Sequence, residues 1–480
     1  MIKKSIHKEI ILIASLLFIG ITLFLEMLCN SFNARSIIYL LSCFILFFDV
    51  IVMYNLYKCE GTILKITLLF CVMFILYMYG QVILNIFNLT ADGSLLSNKF
   101  SAEEIVHGLV IVNIFFAVFL MGIVTAKKRV KKDLDYVEFE DKKLVTTGVI
   151  VLICSAPFEL YVNISKLYFT FSYGYASLYQ DIALQSISSG YKILSYFFLP
   201  GCFYILFGSK RKSKGEKIAS ILVLLHAATE MLIGYRASAI IPVIIILYCL
   251  HVKASFSKSA AINRKTKKTI IKSCLLASLV VVFIFPMVRA TRNSGGLTLT
   301  SILTAFSVEN FRELFTTVND MGKSLQTVIF TIRLVPTEYP YRYGVSYLMN
   351  LTQIIPNFFW TRHPAEVYGS LGKWLTRIVD PAFYQYGGSL GFSCVAESYI
   401  NFGYVGITVF PFIFGRILQT VEEKIDASAK PVNYASLCIV SVYLMSYARG
   451  EFSDVVRGFF WYMLIPYVTY KYFIKRGERN

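Results

Sequence analysis

"IASILVLLHAATEMLIGYRASAIIPVIIILYCL", residues 218–250, is an almost unbroken apolar run with a single arginine, Arg236, near its middle. A helix rises about 1.5 Å per residue and a bilayer core is about 30 Å thick, so about 20 residues make one crossing. The run is too long for one span and long enough for two joined by a tight turn. Its flanks decide between them. "SKRKSKGEK" (209–217) and "HVKASFSKSAAINRKTKKT" (251–269) are both strongly basic, and short basic loops stay on the cytoplasmic side of a membrane. A single helix would put them on opposite faces, whereas a hairpin turning at "GYRAS" (234–238) returns both to the same face. The same argument folds 434–474 into a hairpin turning near "RGEFSDVVR" (449–457), because the terminal "KRGERN" is also basic.

The rest of the chain agrees. Of its 480 residues 56% are apolar and only 16% charged, too few to cover a soluble body of this size. Spans are expected near 10–28, 36–57, 63–86, 105–126, 144–164, 191–208, 218–233, 237–252, 270–288, 395–415, 434–448 and 458–474. The fold expected is an all-α polytopic integral membrane protein of about twelve transmembrane helices, one membrane domain over 1–480, with both termini cytoplasmic. The formal charge of +18 then belongs to cytoplasmic loops such as "KKRVKK" (127–132), which face anionic lipid headgroups. No domain accompanies these short loops, so nucleic acid is not an expected partner. "MIKKSIHKEI" before the first apolar run reads as a retained signal anchor. Ten cysteines are scattered singly with no CxxC, which indicates neither a disulfide framework nor a metal site.

Two segments are expected on the extracytoplasmic face. One is a large loop, 289–394, with amphipathic helical stretches. The other, 166–191, is rich in tyrosine, a residue that forms interfacial belts and also stacks on sugar rings.

Ionisable residues near membrane depth are costly and so are candidates for a site. Arg236 sits in the turn of "GYRAS", and Arg289 and Arg292 end the ninth span. Arg333, Arg342, Arg362 and His363 lie in the large loop. Glu397 heads a late apolar run, and Arg449, Glu451, Asp454 and Arg457 occupy the last outer turn. Arginine forks match phosphate oxygens and stay charged, so an outward cluster suits a lipid diphosphate. Headgroup contact and internal pairing, for example Arg449 with Glu451, are the plainer alternatives. His226, Thr229 and Glu230 share one helical face, as a pair joining two spans or as a relay supporting Arg236. "DLD" (133–135) sits in a lysine-rich loop and reads as solvated charge.

The stretch "GFSCVAESYINFGYVGI" (391–407) resembles the bacterial O-antigen polysaccharide polymerase family, Wzy, in which an acid followed by an aromatic-Asn-Phe-Gly run precedes a late span. "IIPNFFWTRHP" (354–364), the "GYRAS" turn and the multi-span plan with a large late outer loop are similar too. The resemblance implies a glycosyltransferase of the bacterial plasma membrane. Such an enzyme joins repeat units carried on undecaprenyl diphosphate at the outer face, with no cofactor and no metal. It also admits a chain-length regulator as a partner. The expected catalytic residues are Glu397, Arg236 and Arg289. Arg292, Arg333, Arg362, His363, Arg449, Arg457, Tyr235 and Tyr399 are the expected substrate contacts. For Glu397 three roles stay open: a base, a group orienting an arginine, or a cap on the span. The rival readings are a flippase or other secondary transporter, which would show internal repeats and midplane charges, and an O-antigen ligase.

Overall fold

The computed structural model describes residues 2–29, 31–89, 96–127, 139–174, 177–178, 188–256, 268, 272, 309–355, 360–361, 363–367 and 370–477. Every regular element among them is helical. Eight helices are long and apolar enough to cross a membrane: Ser5–Leu28, Ala34–Glu60, Ile66–Ile86, Ala102–Thr125, Lys142–Tyr173, Gly190–Gly208, Ala237–Ser255 and Cys394–Ser428. Each falls on an expected span. Three further expected spans are helical but less clear as crossings. Lys214–Ile233 carries Glu216, Lys217 and Glu230, Pro431–Tyr447 has only 17 residues, and Ile465–Gly477 has 13 after a wide-turned stretch, Gly458–Leu464. Apart from Lys272, the expected span 270–288 lies outside the described residues.

The chain divides into two compact units. The first comprises Met1–Arg129, Phe315–Lys424 and Leu444–Val456. Its helices begin and end where local chemistry dictates. Asn33 caps Ala34–Glu60 by accepting from the Arg35 N–H at 3.0 Å. Ser101 and Glu104 form a reciprocal capping box at the start of Ala102–Thr125. The N-terminus of Ile66–Ile86 is capped from a distance: the buried Glu422 accepts from the Ile66 N–H at 2.8 Å and the Thr67 hydroxyl at 2.7 Å. Phenylalanine fills the core, with Phe74 stacked on Phe116 at 4.8 Å and Phe70 against Phe119 at 5.1 Å. Helices Ala102–Thr125 and Cys394–Ser428 cross at glycines. A Cβ on Gly122 would lie 2.2 Å from the Phe412 carbonyl oxygen, and one on Gly415 would lie 2.3 Å from that of Phe119.

Part of the expected large loop belongs to this bundle. From Phe315 the chain is part of it: the helix Glu309–Gly322 meets the third long helix through Val318 and Asn319, and Ser324–Leu334 packs against the third and fourth. Gln81 donates to Asn319 at 3.2 Å, and Leu325, Val328 and Ile329 are buried. Short helices follow at Val345–Leu351, Pro364–Val367, Leu371–Val379 and Pro381–Gln385.

The second unit comprises Val130–Leu314, Ile425–Tyr443 and Arg457–Asn480. Lys142–Tyr173 runs through it, so residues 166–173 of the expected tyrosine-rich loop are helix rather than loop. The "GYRAS" turn is tight: Gly234 takes a positive φ of 106°, ends Lys214–Ile233, and Arg236–Ser255 begins two residues later and packs back on it. Lys253 is buried with its ammonium satisfied, donating to Glu216 at 2.8 Å and to the Leu206 and Ser209 carbonyls at 2.7 Å.

Candidate functional site

The "ESYINFGYVG" run is a broken helix. Gly403 takes φ 57° and ψ −136°, so Cys394–Ser428 is two helices meeting at a kink. Few residues other than glycine adopt that geometry, and a Cβ there would press on the Tyr341 ring at 3.0–3.2 Å. The break frees carbonyls that must be satisfied elsewhere at membrane depth. The loop at 341–344 does this: the Arg342 and Tyr343 N–H groups donate to the Ile400 and Asn401 carbonyls at 2.9 and 3.0 Å. Asn401 locks the junction, accepting from the Gly344 N–H at 3.0 Å and donating to Ser346 and to the Glu397 carbonyl, both at 2.7 Å.

Glu397 lies nearly two turns before the break and is 0% exposed. A carboxyl wholly out of solvent needs hydrogen-bond donors. Oε1 accepts from the Asn350 side-chain amide at 3.1 Å, and Oε2 from the Phe452 N–H at 2.8 Å. The Tyr447 phenol faces it as well. Glu397 therefore ties three segments together: the helix Val345–Leu351, its own half-helix and the turn at 449–452. Buried at the junction, it has no face open to a second molecule.

Glu451 occupies that turn and is not paired with Arg449. Its oxygens receive the Ser370 hydroxyl at 2.6 Å and the Gly372 and Leu371 N–H groups at 3.0 and 3.1 Å. It thus caps the helix Leu371–Val379, which carries Trp374. The Arg342 guanidinium stacks over Trp374 at 5.1 Å. Burial pulls the guanidinium below its ordinary pKa, while Glu451 and then Glu397 push it back; an arginine so placed stays charged. Arg449 is exposed, its guanidinium 5.9 Å from the Tyr77 ring. Among the described residues neither Arg342 nor Arg449 has a carboxylate at ion-pair distance. Two charged forks over aromatic rings, on segments that Glu397 and Glu451 hold in place, can receive an anionic group.

The other expected residues are placed differently. Arg333 is committed to Glu104 through Nε at 2.6 Å and Nη2 at 2.8 Å, and lies over Phe100 at 5.0 Å. The Glu104 hydrogen bond raises its pKa further above the usual arginine value. Tyr399 is buried beside the Tyr341 ring at 6.1 Å. His363 is buried against Trp360 at 5.0 Å. Tyr235 and Arg457 belong to the second unit, where Tyr235 lies beneath the Lys166 ammonium at 5.1 Å and Arg457 is exposed. Arg236 opens its helix, but its side chain lies outside the described residues, as do Arg289, Arg292 and Arg362. His226 pairs with Glu159 of Lys142–Tyr173 at 2.6 Å rather than with Glu230, which faces Lys166 at 3.5 Å.

In the sequence Arg342 is one loop arginine among several, with no role marked, and Glu451 has only Arg449 as an evident partner. The available signal was Arg342 between two tyrosines in "YRYG", and the acid two residues after Arg449.

The family model for the O-antigen polysaccharide polymerase Wzy matches residues 10–477. No curated protein and no solved structure matches the chain.

Proposed function

Because the chain belongs to the O-antigen polysaccharide polymerase (Wzy) family, we propose that it joins lipid-linked oligosaccharide units by transferring glycan from an undecaprenyl diphosphate donor to a sugar hydroxyl of another lipid-linked unit. The reaction takes place at the outer face of the bacterial plasma membrane, with about twelve crossings and both termini inside. The helices Val345–Leu351, Leu371–Val379 and Pro381–Gln385 form the outer wall of the site. No nucleotide and no metal take part, and a chain-length regulator is a partner outside this chain.

The observation that carries this reading is the pair Arg342 and Arg449, two guanidiniums without a carboxylate partner among the described residues, seated next to a helix broken in the family-like motif. Donor glycosyl transfer expels a diphosphate, and charge developing on that leaving group is what preorganised forks stabilise. Glu397 serves by orienting, holding the 449–452 turn and the Val345–Leu351 helix in register. Arg236, Arg289, Arg292 and Arg362 remain further clamp candidates.

The test uses purified protein in lipid vesicles with a lipid-diphosphate-linked repeat unit extracted from cells that carry the pathway but lack this protein. Products of stepwise increasing length support the reading. Transport of the intact unit across the vesicle wall, without lengthening, assigns the chain to transport instead.

A further inference from the structure

One carboxylate–imidazole pair in the first unit has no place in the clamp. His107 lies two turns into Ala102–Thr125, and Glu26 lies in the last turn of the first long helix, which packs against it. Nδ1 of His107 meets Oε1 of Glu26 at 2.5 Å, and Nε2 faces the Tyr404 hydroxyl at 3.4 Å. Glu26 fixes the tautomer: with the carboxylate ionised, Nδ1 carries the hydrogen and Nε2 presents a lone pair. The Tyr404 contact is long, since an O–H donor ordinarily sits about 2.8 Å from its acceptor. Both side chains of the pair are about one-third exposed, and Tyr404 is more than half exposed. Nε2 is thus an oriented acceptor whose present neighbour is weakly held.

Its position relative to the clamp follows from the break at Gly403. Tyr404 is the first residue past the kink. Its ring meets Tyr399 at 5.9 Å, and Tyr399 meets Tyr341 at 6.1 Å. Tyr341 directly precedes Arg342. The buried Tyr399 therefore bridges Tyr341, beside the diphosphate clamp, to the exposed Tyr404 at His107.

We propose that His107, held by Glu26, is the base that accepts the proton of the acceptor sugar's hydroxyl. This rests on the polymerase reading above. The acceptor hydroxyl takes the place of Tyr404 at Nε2. As its oxygen forms the bond to the donor's anomeric carbon, the bond from that carbon to the diphosphate oxygen breaks and the electron pair leaves with the diphosphate. The hydroxyl proton passes to Nε2, and Glu26 faces the imidazolium that results before the proton is lost to water. Glu26 is a positioning residue. Glu397, wholly buried, offers no face for this step.

The experiment compares His107→Ala, His107→Gln and Glu26→Gln with wild type in the vesicle assay, using the extracted lipid-linked unit and added imidazole. Both His107 variants are expected to lose about 100-fold or more of kcat, with KM for the unit within about twofold, and free imidazole should restore part of the rate to His107→Ala. Glu26→Gln should lower kcat about tenfold at unchanged KM. Extension by the His107 variants at the wild-type rate overturns the assignment. So does a loss that imidazole does not relieve and that comes with a raised KM, which would make the pair a structural contact. If wild type itself makes no longer products, the polymerase reading fails first, and it does so visibly before any variant is compared.

Discussion

The Phe452 N–H donates to Oε2 of Glu397 at 2.8 Å, joining the buried acid of the broken helix to the turn that carries Arg449 and Glu451. That bond connects the family-like motif to both halves of the proposed clamp. Glu397 holds the turn, and Glu451 in the same turn caps the helix bearing Trp374, on which Arg342 lies.

Glu397→Ala leaves the Asn350 amide and the Phe452 N–H buried without an acceptor, at about 1–3 kcal/mol for each unsatisfied group. We expect a lower melting temperature in detergent and no chain extension. Glu397→Gln keeps one acceptor oxygen and should melt closer to wild type while still failing to extend chains. Extension to wild-type lengths by Glu397→Gln would remove Glu397 from the mechanism.

Arg342→Lys and Arg449→Lys keep the charge but lose the fork. Each should slow extension about ten- to a hundred-fold, the equivalent of about 1.5–3 kcal/mol for a charge-assisted contact. Arg333→Lys should have a much smaller effect on extension, because Arg333 already spends its fork on Glu104. Equal losses at all three positions would show that pairing with a carboxylate does not decide which arginines serve extension.

Gly403→Ala forces a Cβ onto a residue at φ 57° and into the Tyr341 ring. The backbone strain alone is worth about 1–3 kcal/mol. A drop in melting temperature and loss of extension are expected, whereas Gly20→Ala, with nothing within 4 Å of the added carbon, should change neither. Indistinguishable melting of the two variants would argue that the break is not required.

Glu451→Gln replaces one acceptor oxygen with a donor among three donors at the start of Leu371–Val379. The cap weakens by about 1 kcal/mol, and Trp374 loses its fixed position beneath Arg342. The account predicts a higher KM for the lipid-linked unit with a smaller change in kcat. A fall in kcat alone would point to a direct part for Glu451 in the chemistry.

Much of this architecture is legible in sequence because a bilayer imposes a simple rule: long apolar helices, basic loops and few internal charges. The "GYRAS" turn appears where charge symmetry requires it. Glu397 stands out because an acid among apolar residues must be explained. What sequence does not show is partnership. Nothing in "TIRLV" says that Arg333 meets Glu104, and nothing in "HAATE" says that His226 chooses Glu159 over the Glu230 one turn away. Those pairings come from packing between helices distant in the chain. The break at Gly403 hides for a different reason: a glycine in an apolar run reads equally well as helix interior or kink, and only the docking of 341–344 distinguishes them. Asn350, 47 residues earlier in the chain, holds the central acid.

The most direct measurement counts undecaprenyl diphosphate released against glycosidic bonds formed. It uses purified protein and extracted lipid-linked units, free of nucleotide and with metal chelated. The account predicts one diphosphate lipid released for each bond as products lengthen, with both falling together in Arg342→Lys. Units that cross the vesicle membrane with no new bond and no released lipid would contradict it.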